Sequence, residues 1–124
     1  MLTDMVSKRA GWLVGAAIFL VTVVVTPNST LDPINVPKLW AFSIFGFAAI
    51  FMLASQGKSL FDRKNRFITI SILGLPVYMF LGIFFTDSTF SRELFGTYGR
   101  NTGFLTYFSF AALALLLTIA STSN

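Results

Sequence analysis

The chain has 124 residues, 55% of them hydrophobic, 16% aromatic and only 11% charged, with a formal net charge of +4 and neither His nor Cys. Soluble domains carry about 25% charged residues, and a core built from so short a chain cannot hide this much apolar surface, so the composition points to lipid as the solvent. The missing His and Cys exclude zinc centres, Cys or Ser-His nucleophilic catalysis and disulfides, and leave Asp4, Asp32, Asp62, Asp87 and Glu93 as the only carboxylates.

Four uncharged apolar runs follow one another, at 10–26, 39–54, 67–85 and 104–120. As helices they measure roughly 24 to 28 Å, close to the ~30 Å hydrocarbon core of a bilayer. Backbone in lipid must satisfy its own hydrogen bonds, and the runs lack period-2 alternation, so the sequence predicts an all-α membrane protein with four transmembrane helices. Lys38, Arg66 and Arg100 flank the runs and can snorkel. The first run follows Lys8-Arg9 as a signal peptide would, but its exit VVVTPNST offers no small-x-small cleavage site, so an uncleaved span is expected.

Basic residues orient the bundle. With the N-terminus in the cytoplasm, the inside holds Lys8, Arg9, Lys58, Arg63, Lys64 and Arg66, and the outside only Lys38, Arg92 and Arg100. Four spans then return the C-terminus to the inside, giving N-in/C-in. The acidic residues leave the inside at +4 and the outside at zero. The positive charge therefore reports orientation, and nucleic acid is rejected as a partner.

Small residues suggest where helices pack. Gly11 and Gly15 form a GxxxG pair in the first span. Ala41, Ser43, Gly46, Ala48 and Ala49 make the second small-sided, and Gly74 and Gly82 share a face of the third, which Pro76 is expected to kink. The first external segment, TPNSTLDPINVPKLW, is dense in turn formers: Asp32-Pro33 suits a turn, Asn35 an N-cap and Pro37 the first turn of span two. Its sequon Asn28-Ser29-Thr30 lies too near the end of span one to carry weight. The internal loop SQGKSLFDRKNR reads as a basic anchor on anionic lipid headgroups. In the second external segment, Phe90, Leu94 and Phe95 lie on one side of a short interfacial helix that Asp87 or Ser88 could cap. Gly96, Gly99 and Gly103 then give a turn-rich approach to span four, without a P-loop or dinucleotide fingerprint.

Lys38 and Arg100 stand out electrostatically. Spans two and four start on the external side, where the helix dipole disfavours cations by about 0.3–1 kcal/mol. A bound anion reverses that penalty, since free amides together with an ammonium or guanidinium suit phosphate oxygens. Two sources of phosphate remain open, a specific ligand and the surrounding lipid.

Residues 94–107, LFGTYGRNTGFLTY, resemble the segment FG-x-Y-GR-x-x-G-x-LTY found near the N-terminus of many bacterial O-antigen ligase and O-antigen polymerase family proteins. Residues 31–40, LDPINVPKLW, resemble the Pro-Lys start of the second helix in that family. The resemblance spans the four-helix region, about a quarter to a third of a usual member. It implies a multi-pass glycosyltransferase of the bacterial inner membrane, inverting and metal-independent, that needs no cofactor. Such enzymes move glycan from an undecaprenyl-diphosphate carrier to lipid A core or another acceptor on the periplasmic side, in lipopolysaccharide and related polysaccharide biosynthesis. Arg100, Lys38 and Tyr98 become the candidates for contact with the donor diphosphate or with lipid phosphate. The main arginines and histidine of the family come later in its chains, so no catalytic residue is carried over. Residues 1–124 are expected to be one four-helix transmembrane segment, the N-terminal part of a longer polytopic protein, inactive without its C-terminal helices. The expected partners are those helices, membrane lipids and a polyprenyl-diphosphate-linked glycan. The alternative is a small non-enzymatic membrane protein, a subunit or holin-like. A proton-coupled transporter ranks lower because no span holds a carboxylate.

Overall fold

Each apolar run folds as a helix in the structure, a computed structural model that describes residues 2–24, 34–55, 60–96 and 103–122. The elements are α1 (Leu2–Val23), α2 (Asn35–Ala54), α3 (Arg66–Gly82), the short α4 (Phe90–Phe95) and α5 (Phe104–Thr122). Among the described residues there is no strand. α2 and α5 are long and apolar enough to cross a membrane, with mean hydropathy of 1.8 and 1.9 over their most apolar stretches; α3 is a shorter apolar helix. Only 28% of the α2 stretch and 44% of the α5 stretch are buried, so neither has the environment of a soluble core helix. Trp12, Phe19, Phe51, Phe67, Tyr78 and Phe85 are among the many large side chains that face outward.

α5 is the centre of the assembly. It packs most extensively on α2, then on α1, α3 and α4, and shows only a narrow stripe, Phe110, Ala114, Leu117 and Ser121, to the outside. The core joins Ala10, Val14 and Ala17 of α1 to Ala49 and Leu53 of α2 and to Ala112, Leu113, Leu116 and Ile119 of α5. Those positions recur every three or four residues, one face per helix. α1, α2 and α5 thus form a triangle. α3 packs mainly on α5 and buries only Thr69 and Pro76.

The long helices alternate in direction. Val21, late in α1, lines a cavity with Lys38 and Leu39, early in α2. Trp40 meets Phe95, whose neighbour Gly96 touches Gly103 just before α5, with ring centroids 6.4 Å apart. At the opposite end Leu53 and Leu115 share a cavity, so α2 and α5 are parallel. Phe80 lies 5.7 Å from Phe104, and Thr69 lines the cavity with Leu115, so α3 runs against α5.

Close packing of α2 on α5 depends on glycine. A Cβ on Gly46 would sit 2.5 Å from Ser109 Oγ and 2.8 Å from Ser109 Cα. Small side chains therefore let the two backbones approach, as the run of small residues in span two suggests. The other glycines, read as packing positions within the chain or with a partner, make no such contact among the described residues. Gly11, Gly15, Gly74 and Gly82 have nothing within 4 Å of an added Cβ. α1 presents Ala10, Val14 and Ala17 to the bundle instead, where a larger apolar surface is available.

Further differences are local. Asn35 is not the N-cap of α2; Ile34 occupies that position without a side-chain cap bond. Thr89, not Asp87 or Ser88, precedes α4, with φ −67° and ψ 136°. Ser88 Oγ instead donates to Glu93 Oε1, a polar link at the two positions where a hydrophobic staple would sit. Leu94 and Phe95 are half-buried but Phe90 is exposed, so α4 does not bury all three on one face. α3 continues through Pro76 and stops at Gly82, and the amides of residues 83–85 donate to carbonyls three or four residues back. The sequon at 28–30, the 32–33 turn and Lys58 lie outside the described residues.

Candidate functional site

The start of α2 positions Lys38. Ile34 ends the preceding segment with helical angles, φ −109° and ψ −55°, and Pro37 falls in the first turn, where its missing amide costs no intrahelical bond. Lys38 is half-buried. Its side chain, with Val21, Leu39, Phe42, Thr106 and Phe110, lines a cavity of about 150 Å³ between α1, α2 and α5. The wall is almost wholly apolar, so the methylene stem packs along it while the ammonium can reach outward.

Two hydroxyls close to this cavity have no hydrogen-bond partner. Ser43 Oγ and Thr106 Oγ1 are buried and unpaired. Ser and Thr elsewhere in these helices bond back to their own helix: Thr22 to Phe19 O at 2.7 Å, Ser109 to Leu105 O at 2.8 Å, Thr118 to Ala114 O at 2.9 Å. Ser43 and Thr106 each stand three residues nearer the Lys38 end than the Gly46–Ser109 contact. The parallel α2 and α5 also bring their positive dipole ends to this side of the molecule. The result is a cation at the mouth of an apolar cavity, with unsatisfied polar groups behind it, which suits an amphiphile carrying an anionic head.

Tyr98 and Arg100 lie outside the described residues, which stop at Gly96 and resume at Gly103. The chain leaves α4 at Gly96, with φ 89° and ψ −179°, a region open essentially to glycine alone. It returns at Gly103, where a Cβ would fall 2.2 Å from Gly96 N and 2.5 Å from Leu94 O. Both outer glycines of the motif 94–107 are therefore backbone contacts of a closed neck. Trp40 stacks obliquely on Phe95 and ties that neck to the α2 turn carrying Lys38.

Sequence reasoning singled out Lys38 but not Thr106, Phe42 and Phe110, which line the same cavity. The spacings Lys38–Phe42 and Thr106–Phe110, each i,i+4, put every pair on one helix face; nothing in them specifies that the two faces meet. A second cavity, about 290 Å³, lies between α3 and α5 and is lined by Leu73, Pro76, Val77, Phe80, Phe104 and Phe108. Among the described residues no group of three acidic side chains could hold a metal ion. No family model, curated protein or solved structure matches the chain.

Proposed function

We propose that the chain is a four-span membrane bundle, N-in/C-in, and the N-terminal region of an O-antigen ligase/polymerase-like glycosyltransferase of the bacterial inner membrane. In this reading the Lys38 end is periplasmic and contributes to holding the diphosphate of a polyprenyl-linked glycan donor. The observation that carries it is the Lys38-lined cavity at the shared N-terminal end of two parallel helices. The apolar wall suits the first carbons of the carrier, and Lys38 suits its phosphate. Arg100 and Tyr98, from the motif 94–107, are the further residues proposed for this contact. This chain's own part is to bind and orient; the transfer step needs groups that the family carries elsewhere.

Titrating the purified chain in detergent with farnesyl diphosphate and with farnesol tests the reading. Binding of the diphosphate, absence of binding by the alcohol, and a loss of tenfold or more in Lys38→Ala and Arg100→Ala are expected. Equal affinity of wild type and both variants would remove the anion role. Reporter fusions near Asn65 and Thr97 test the orientation, with an external signal expected only at Thr97. The outward Gly11 and Gly15, with nothing against them, favour a second reading as a non-enzymatic membrane subunit or holin-like protein. Growth arrest with membrane leakage on expression would support that one.

A further inference from the structure

The turn that leads into α3 displays its cations and buries its supports. The amides of Asn65 and Arg66 both donate to Asp62 O at 2.9 Å, and Thr69 Oγ1 donates to Leu60 O at 2.8 Å. Asn65 and Thr69 are buried beneath the turn, while Arg63, Lys64 and Arg66 stand outside it. Lys8 and Arg9 are exposed at the same end of the bundle, on α1. Asp62 is the one carboxylate among the described side chains at this end, and none of these cations makes an ion pair among the described residues. The first turn of α3 holds no acidic residue, so the dipole adds to the positive potential. At the Lys38 end, by contrast, Asp87 and Glu93 balance Lys38 and Arg92.

Two aromatic side chains bracket the cations. Phe61 is 61% exposed and Phe67 81% exposed, one on each side of the basic turn. A small soluble anion has no use for such flanks, whereas a lipid surface offers phosphate beside hydrocarbon. Clusters of basic residues next to a span attract anionic headgroups in this way. We propose that the turn at 62–66 is a binding site for an anionic phospholipid, with Arg63, Lys64 and Arg66 on the headgroup phosphate and Phe61 and Phe67 in the acyl region. This rests on the membrane part of the proposed function and is independent of glycan transfer.

The test is titration of the full chain, in non-ionic detergent, with fluorescent short-chain phosphatidylglycerol, phosphatidylcholine and inorganic phosphate. Phosphatidylglycerol is expected to bind at least tenfold more tightly than phosphatidylcholine and to weaken as NaCl rises from 50 to 500 mM. The triple variant Arg63→Gln/Lys64→Gln/Arg66→Gln should lose roughly 100-fold in affinity, while Arg92→Gln at the other end should keep it. Helical circular dichroism establishes that the triple variant folds. Equal binding of the two lipids, an unchanged triple variant, or displacement of the lipid by millimolar phosphate would overturn the proposal. Release of the chain from membranes by alkaline carbonate would overturn it together with the membrane reading; retention with no lipid selectivity would overturn it alone.

Discussion

Gly46→Ala is the sharpest probe of the helix arrangement. The new methyl would meet Ser109 Oγ at 2.5 Å, its Cβ at 2.7 Å and its Cα at 2.8 Å. Carbon atoms rest about 3.5–4.0 Å apart, so α2 and α5 must separate by about 1 Å where they touch. Overpacking on this scale costs about 1–3 kcal/mol, against which replacing a mid-helix glycine returns about 0.5–1 kcal/mol. The same substitution at Gly15 or Gly74, with nothing within 4 Å, keeps the gain without the clash. Gly46→Ala should therefore fall about 1–3 kcal/mol below Gly15→Ala in stability, a difference of roughly 5- to 150-fold in the folding equilibrium. Reversible unfolding in mixed micelles by SDS titration, followed by helical circular dichroism, measures the difference. Ser109→Gly in the Gly46→Ala background removes two of the three atoms met and should restore about half of the loss. If Gly46→Ala stabilises the chain as much as Gly15→Ala does, the close approach of α2 and α5 is wrong.

Ser43→Ala and Thr106→Val should each leave stability unchanged or raise it by about 1 kcal/mol in the same titration, because an unpaired buried hydroxyl costs about 1–3 kcal/mol. Loss of stability in both would mean that these hydroxyls have partners. Gly96→Ala forces a side chain into backbone angles that cost about 1–3 kcal/mol. It should speed proteolysis between Gly96 and Gly103 in a limited-digestion time course without changing helix content; an unchanged time course would count against the neck. Lys38→Met keeps the apolar stem, so its unfolding midpoint should match wild type while its farnesyl diphosphate affinity falls tenfold or more, measured by titration. A matching loss of stability would point to a packing role instead.

Apolar runs were enough to locate the long helices, because a long run without period-2 alternation satisfies its backbone hydrogen bonds most simply as a helix. Their ends were less legible. α1 begins at Leu2, eight residues before its uncharged run, because charged residues such as Lys8 and Arg9 continue a helix without breaking its backbone bonds. α3 stops before Phe85, where apolar sequence continues but the backbone has turned. Small residues gave a divided answer. Gly46 is a contact and Gly11 is not, since a small side chain permits close approach without naming the helix that will approach. At the candidate site, dipole reasoning singled out Lys38 from sequence alone. Thr106 could not be seen, as its relevance comes from the parallel arrangement of α2 and α5, which depends on contacts about 60 residues apart.

The position of α5 has a consequence for how the bundle is assembled. α1 and α2 can pair as soon as both are made, but α3 has its main surface against a helix that follows it in the chain. During synthesis α3 must therefore wait with Thr69 and Pro76, the two residues it buries, not yet covered by α5. Only when α5 arrives does the newly formed hairpin dock onto α1 and α2. Completion of the bundle is thus concentrated in a late event, and damage to α5 should leave the α1–α2 pair with α3 undocked beside it.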